Sequence, residues 1–145
     1  MRRHAVPATL VCLVGVCLVL GAQTQSASSS LKGLKGLEGT RWAVIVTPDE
    51  AAISKGEKIY NDTLVFSGSK VTMTECVAYG FGPSAYTAAK SGDSWSFSTD
   101  QVSEKEGKTR WAAEMKGDSV KGTLVWTKKD GTVFNYAFGG KKELK

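Results

Sequence analysis

Histidine is almost missing from this chain, and cysteine is scarce. Of 145 residues one is a histidine, His4, and three are cysteines, Cys12, Cys17 and Cys76. That shortage removes the usual general base and the imidazole or multi-thiolate ligand sets of zinc and copper sites. Excess charge of one sign is also small. The 19 Lys and Arg exceed the 14 Asp and Glu by a net +5, and the bases are scattered over every segment, so a nucleic-acid partner is not expected.

A long apolar run occurs once, at the start. Arg2 and Arg3 precede an apolar stretch from Ala5 to Ala22, and the polar, small-residue stretch Gln23 to Ser30 follows. This is the order of a secretory signal peptide over residues 1–27, with cleavage after Ala22 or Ala27. Pro7 shortens the run as a membrane span, so no stable span is expected once the leader is cleaved. Neither Cys12 nor Cys17 follows the Gly or Ala of a lipid-attachment site. Cleavage would remove His4, Cys12, Cys17, Arg2 and Arg3, leaving Cys76 alone and bringing 17 bases against 14 acids, a net charge of +3. The expected product is a secreted or periplasmic protein. Behind a linker at residues 28–36 it has one β domain at 37–140 and a basic tail at 141–145.

What the chain does have, from Thr63 to Phe138, is one repeated rhythm of alternating apolar and polar residues broken by glycine turns. Strands are expected at Arg41–Thr47, Tyr60–Phe66, Lys70–Glu75, Ala85–Lys90, Ser94–Thr99, Lys108–Lys116, Ser119–Lys128 and Thr132–Gly139. Gly68-Ser69, Gly92-Asp93 and Gly117-Asp118 put glycine first in a two-residue loop, as a type II′ hairpin requires. The short turns fix the register. Phe66 falls opposite Val71, Leu64 opposite Met73, Met115 opposite Val120 and Trp111 opposite Leu124, with Glu114 against Lys121 on the other face. After Trp126 a two-residue loop would break the hydrophobic phase. A three-residue Lys129-Asp130-Gly131 loop restores it, pairing Trp126 with Phe134, Leu124 with Tyr136 and Gly122 with Phe138.

The expected fold is therefore all-β, an eight-stranded antiparallel up-and-down meander barrel. Its tight turns gather at one end. The other end collects the connections Pro48–Glu57, Cys76–Ser84 and Asp100–Gly107 and the Lys129 turn. Within the first of these, Asp49 to Ile53 can form one helical turn, capped by Thr47, as a partial lid. Ahead of the first strand, the glycine-rich LKGLKGLEG stretch is expected as an irregular or single-turn segment against the domain.

This arrangement, with Leu37-Glu38-Gly39-Thr40-Arg41-Trp42 opening the first strand, resembles the lipocalin-like (calycin) barrels of secreted proteins. Gly39-Thr40-Arg41-Trp42 is similar to the family's Gly-x-Trp signature, with one extra residue. The resemblance implies a binder of small hydrophobic molecules inside the barrel.

Candidate binding residues are Trp42, Trp95, Trp111, Trp126 and Tyr136 on the strands, with Tyr60 and Phe81 at the loop-rich rim. Two readings of these aromatics stay open: a filled core, since large aromatics dominate core burial, or an aromatic-lined pocket opening among the long loops. Cys76 at a strand end is expected as a small buried residue, with Glu75 beside it disfavouring a thiolate.

Apparent enzyme motifs fail on context. Gly92-Asp93-Ser94 has no histidine partner, Ser67-Gly68-Ser69-Lys70 occupies a turn, and Gly80-Phe81-Gly82-Pro83 lacks the strand-to-helix setting of a dinucleotide loop. Among carboxylates, Asp62 and Glu75 are expected to face each other at a strand end, and Glu104 and Glu106 to form a solvated charge run. No catalytic residue, metal or cofactor is expected. The reading is a monomeric binding protein for a small hydrophobic or aromatic molecule. The alternative is a module that engages or inhibits an envelope or extracellular protein through its long-loop end.

Overall fold

A computed structural model describes residues 36–145, so the expected leader and all but the last residue of the linker lie outside the described residues. The chain forms a nearly closed, all-antiparallel β-barrel. Its strands are β1 (Arg41–Pro48), β2 (Tyr60–Ser67), β3 (Lys70–Met73), β4 (Ser84–Ala85), β5 (Thr87–Ser91), β6 (Ser94–Ser103), β7 (Gly107–Lys116), β8 (Ser119–Thr127) and β9 (Val133–Lys142). They lie in the order β4-β3-β2-β1-β9-β8-β7-β6-β5, so consecutive strands are neighbours and β1 pairs with β9.

Nine strands replace the expected eight because one of them bends. β4 and β5 are separated only by Tyr86; β4 pairs with β3 and β5 with β6. One stretch of chain thus supplies both edges of the sheet and brings them together. Tyr86 turns inward at the bend, where it is buried and meets Phe66 edge-on with ring centroids 4.9 Å apart. The Thr99 hydroxyl donates to the Ala85 carbonyl, tying the bend to β6.

The registers follow the hydrophobic phase. Met115 pairs with Val120, Trp111 with Leu124 and Glu114 with Lys121 across β7–β8, and Phe66 with Val71 and Leu64 with Met73 across β2–β3. β8–β9 pairs Trp126 with Phe134 and Gly122 with Phe138, and Gly131 is left-handed at φ +86° as the three-residue loop requires. The Phe138 ring lies against the Cα of Gly122, where a side chain would collide with it.

One turn differs from its expected type. Gly92 and Gly117 have positive φ while their aspartates do not, as in type II′, but both Gly68 (φ +61°) and Ser69 (φ +60°) are left-handed, the type I′ geometry. Glu38 supplies the reason. Its carboxylate accepts from the backbone N–H of both Gly68 and Ser69, offsetting the cost of placing a non-glycine residue in that region.

Three boundaries also shift. β3 ends at Met73 and passes into a 3₁₀ turn, Glu75–Tyr79. β6 and β7 run to Ser103 and from Gly107, so the connection expected over Asp100–Gly107 shrinks to Glu104, Lys105 and Glu106. At the C-terminus β9 continues to Lys142, which pairs with Trp42, so Lys141 and Lys142 are ladder residues rather than tail. Gly140 permits that seam, because a Cβ there would enter the backbone of Ala43 and Val44.

The barrel centre and the tight-turn end are filled. Trp111, Phe66, Leu64, Met73, Met115 and Leu37 are among the largest fully buried side chains. Leu37 belongs to the short segment ahead of β1, which is pinned by Gly39 N–H to the Phe66 carbonyl at 2.8 Å. Among the described residues no helix is long and apolar enough to cross a membrane.

Candidate functional site

Polarity inside the barrel is unevenly distributed. The buried polar residues Asp62, Thr99, Gln101, Ser103 and Thr109 all lie on β2, β6 and β7, and those nearest the loops build that end. Three of them face a single returning segment. Ser103 donates to the Tyr79 carbonyl at 2.7 Å, Gln101 to the Gly82 carbonyl at 2.8 Å, and Thr99 to Ala85. This ladder holds the chain from Tyr79 to Ala85 against β6 and drives Phe81 into the interior, where it is buried.

Across the mouth, Asp49 caps the helix α1 (Glu50–Ser54) by accepting from Ala52 N–H at 2.8 Å. The cap is Asp49 rather than the expected Thr47, because β1 continues to Pro48. Asp49 N–H donates to the Asn135 carbonyl and Ala52 is fully buried, so α1 packs on the loop end of the barrel beside β9; of the expected partial lid only Glu57, beyond the helix, reaches the cavity described below.

Asp62 is the fixed point of this end. Its Oδ1 accepts from Thr74 Oγ1 at 3.1 Å and from the N–H of Glu75 at 3.0 Å and Thr63 at 2.7 Å, and its Oδ2 faces the Cys76 thiol at 3.6 Å. The expected carboxylate pair therefore does not form: Glu75 offers its backbone to Asp62 and leaves its side chain exposed. Glu106 likewise does more than sit in a charge run, since its carbonyl accepts from the Trp126 indole N–H at 2.9 Å.

Between these elements lies a cavity of about 310 Å³ lined by Glu57, Tyr60, Glu75, Cys76, Tyr79, Phe81, Thr109, Leu124, Trp126 and Tyr136. That is the low end of the range for small-molecule sites. Larger hollows exist, of about 880 Å³ over β5–β9 and about 430 Å³ over β1, β2 and β9. Both are broad troughs over the outer strand faces, where Thr87, Ala89, Ser96 and Ala137, or Asn61 and Lys141, are exposed. Of these three hollows among the described residues, the loop-end cavity is the most enclosed and the one in which several aromatic and polar groups converge.

Of the seven candidate residues, Tyr60, Phe81, Trp126 and Tyr136 come together around this cavity. Trp42, Trp95 and Trp111 do not. Trp42 is buried near the start of β1 with its indole N–H on Thr40 Oγ1 at 3.0 Å. Trp95 packs on Gly36 at the tight-turn end. Trp111 is wholly buried beside Phe138 in the barrel centre. Side-chain alternation puts all four indoles inside but says nothing of depth along the axis, which is why strand phase could not separate them.

Glu57, Thr109 and Leu124 were missed. Glu57 lay in an unpatterned connection, and Thr109 broke the apolar alternation of its strand. An inward phase extended through polar positions would have found Thr109.

Three ionisable groups of the cavity, Cys76, Tyr60 and Tyr136, favour their neutral forms. Burial, then the Asp62 charge, pushes the Cys76 thiol from 9.0 up to about 12. Burial raises Tyr60 further, followed by Cys76 and Asp62, and raises Tyr136 together with its hydrogen bond to Glu57 Oε2 at 3.0 Å. At neutral pH the Tyr60 and Tyr136 phenols and the thiol remain protonated, and the carboxylates of the lining are those of Glu57 and Glu75.

Cys76 is accordingly expected to react with iodoacetamide at pH 8 on the order of a thousandfold more slowly in the folded protein than in urea, since thiolate is the reactive form. Equal rates would show that the thiol is neither buried nor raised. The linkage runs the same way. The unfolded chain loses this proton first, so the stability present below about pH 9 is expected to decline as pH rises toward 12. Cys76→Ala should flatten that decline in part, with Tyr60 and Tyr136 carrying the rest.

Among the described residues no group of three or more His, Cys, Asp or Glu side chains is placed to hold a metal ion. No protein-family model matches the chain, and no curated sequence matches it. The class defined by the structure is an antiparallel β-barrel compatible with a lipocalin-like fold, with one end packed and the other hollow.

Proposed function

We propose that this is a secreted or periplasmic binding protein of lipocalin-like type that holds a small hydrophobic or aromatic molecule in the loop-end cavity. The observation that carries the reading is the convergence of Tyr60, Tyr79, Phe81, Trp126 and Tyr136 on one partly open cavity of about 310 Å³ at the loop-rich end. Aromatic walls supply contact area with little loss of side-chain freedom, and a preformed cavity lowers the cost of binding. The reading assigns no reaction: the Cys76 thiol on Asp62 and the Tyr136 hydroxyl on Glu57 are both held protonated at neutral pH, as is Tyr60.

The test is native mass spectrometry of the freshly purified protein, combined with tryptophan fluorescence during titration of a panel of neutral, cationic and anionic aromatic molecules. A retained small molecule, or saturable quenching that disappears in Trp126→Phe, is the expected result. Absence of both across the panel overturns the proposal.

A second reading rests on a different observation. Exposed large apolar side chains cluster at the same end, with Ile53, Ile59, Val77, Tyr79, Val102 and Val133 each about half exposed or more. Such a rim suits an envelope or extracellular protein docking over the mouth. Val77→Ser with Tyr79→Ser should then abolish capture of that partner without lowering thermal stability; unchanged capture would dismiss it.

A further inference from the structure

We infer that the loop-end cavity selects a small organic cation, an ammonium or quaternary ammonium group carried on an apolar body. The inference rests on the binding function proposed above and narrows its ligand class. Three observations converge on it. Five aromatic side chains line the cavity, and the face of such a ring carries negative potential that attracts cations, most strongly for indole. The carboxylates of the lining are those of Glu57 and Glu75; no lysine or arginine lines the space, and among the described residues neither carboxylate is in an ion pair. Glu57 is also aimed, because the Tyr136 hydroxyl holds its Oε2 at 3.0 Å.

The same chain already shows how these rings respond to ammonium groups. Lys128 Nζ stands 4.8 Å from the Trp126 ring centre and 5.1 Å from that of Phe134, and Lys55 Nζ lies 5.5 Å from Phe134. Lys128 already engages Trp126, and no lysine contacts the rings of Tyr60, Tyr79, Phe81 and Tyr136 among the cation–ring pairs of the described residues, so the ligand's cation would meet those four rings and the carboxylates. An anion would instead face two carboxylates and buried Asp62 behind Cys76. A neutral body of the same shape would gain the apolar contact alone.

Shape-matched probes of different charge separate these cases. Benzyltrimethylammonium, neopentylbenzene and phenylmethanesulfonate place a positive, neutral or negative tetrahedral head on the same benzyl group. Titrated into the full protein and followed by calorimetry and by the tryptophan fluorescence lost in Trp126→Phe, the cation is expected to bind roughly tenfold or more tightly than the neutral probe, and the anion more weakly than either. Added salt should weaken the cation selectively. Glu75→Gln, at an exposed position, should reduce cation affinity several-fold more than that of the neutral probe; Glu57→Gln, which retains an acceptor for Tyr136, should do the same. If the neutral probe binds as tightly as the cation, or the glutamine variants lose nothing, cation selection is overturned while the binding function stands. If no probe binds, both fall.

Discussion

Trp111→Ala is expected to cost about 3–5 kcal/mol of stability, read as a lower denaturant midpoint with little change in slope. The indole is wholly buried near the barrel centre, with Leu124 and Thr99 as its cross-strand neighbours and Phe138 packed against it at 5.1 Å between ring centres. Truncation would leave a large void in a region where β6, β7, β8 and β9 all contribute side chains, and backbone ladders on both sides of β7 limit collapse into it. The indole N–H is the one buried side-chain donor without a partner among the described residues, so no hydrogen bond is lost with the ring. Trp111→Phe, which removes that unpaired donor and keeps most of the volume, should therefore cost much less, on the order of 1 kcal/mol. Equal losses for the two variants would mean that the centre is not packed as described.

Asp62→Ala is the second large effect, expected at about 3–5 kcal/mol with loss of ligand binding beyond what destabilisation explains. A single carboxylate, 4 % exposed, receives donors from Thr63, Thr74, Glu75 and Cys76. Its removal strands those donors and releases the 3₁₀ turn that carries Cys76 and Tyr79 into the cavity wall. Asp62→Asn retains the Oδ1 acceptor and should recover most of the stability. The pair of variants separates the two roles of the residue: Asn restoring fold and binding together supports an anchor for the wall, whereas Ala behaving like Asn would show that the turn does not depend on it.

The barrel was legible from the chain because each strand repeats one local rule. Apolar phase set the register of β2–β3, β7–β8 and β8–β9 down to the bulged Gly131 loop. The places where that rule failed are informative. Thr99, Gln101 and Ser103 face inward yet are polar, because they bond the carbonyls of the Tyr79–Ala85 segment rather than fill a core. A reading keyed to apolar alternation therefore ended β6 too early and lengthened the following loop. The bend at Tyr86 was likewise hidden: it joins two edges distant in sequence, and local alternation carries no information about closure.

The site was half legible. Tyr60 and Phe81 were found as aromatics that packing did not explain, and Trp126 and Tyr136 as inward residues. Their separation from Trp42, Trp95 and Trp111 depends on height along the barrel axis. That height is set by where α1 and the 3₁₀ turn pack at the loop end, through contacts such as Asp49 to Asn135 and Asp62 to Glu75. The acidic character of the cavity arises in the same way, since Glu57 enters it only because the first connection doubles back across Tyr136.

The most direct measurement is the set of four tryptophan indole N–H resonances in an ¹H–¹⁵N spectrum, recorded while benzyltrimethylammonium and its neutral isostere are titrated into the ¹⁵N-labelled protein. Binding in the loop-end cavity should move the Trp126 resonance saturably, because its indole lines that cavity and bonds the Glu106 carbonyl. Trp42, Trp95 and Trp111 should stay in place. A Trp126 signal that never moves with either probe, or four signals that move together, would contradict a binding site between the loops of this barrel.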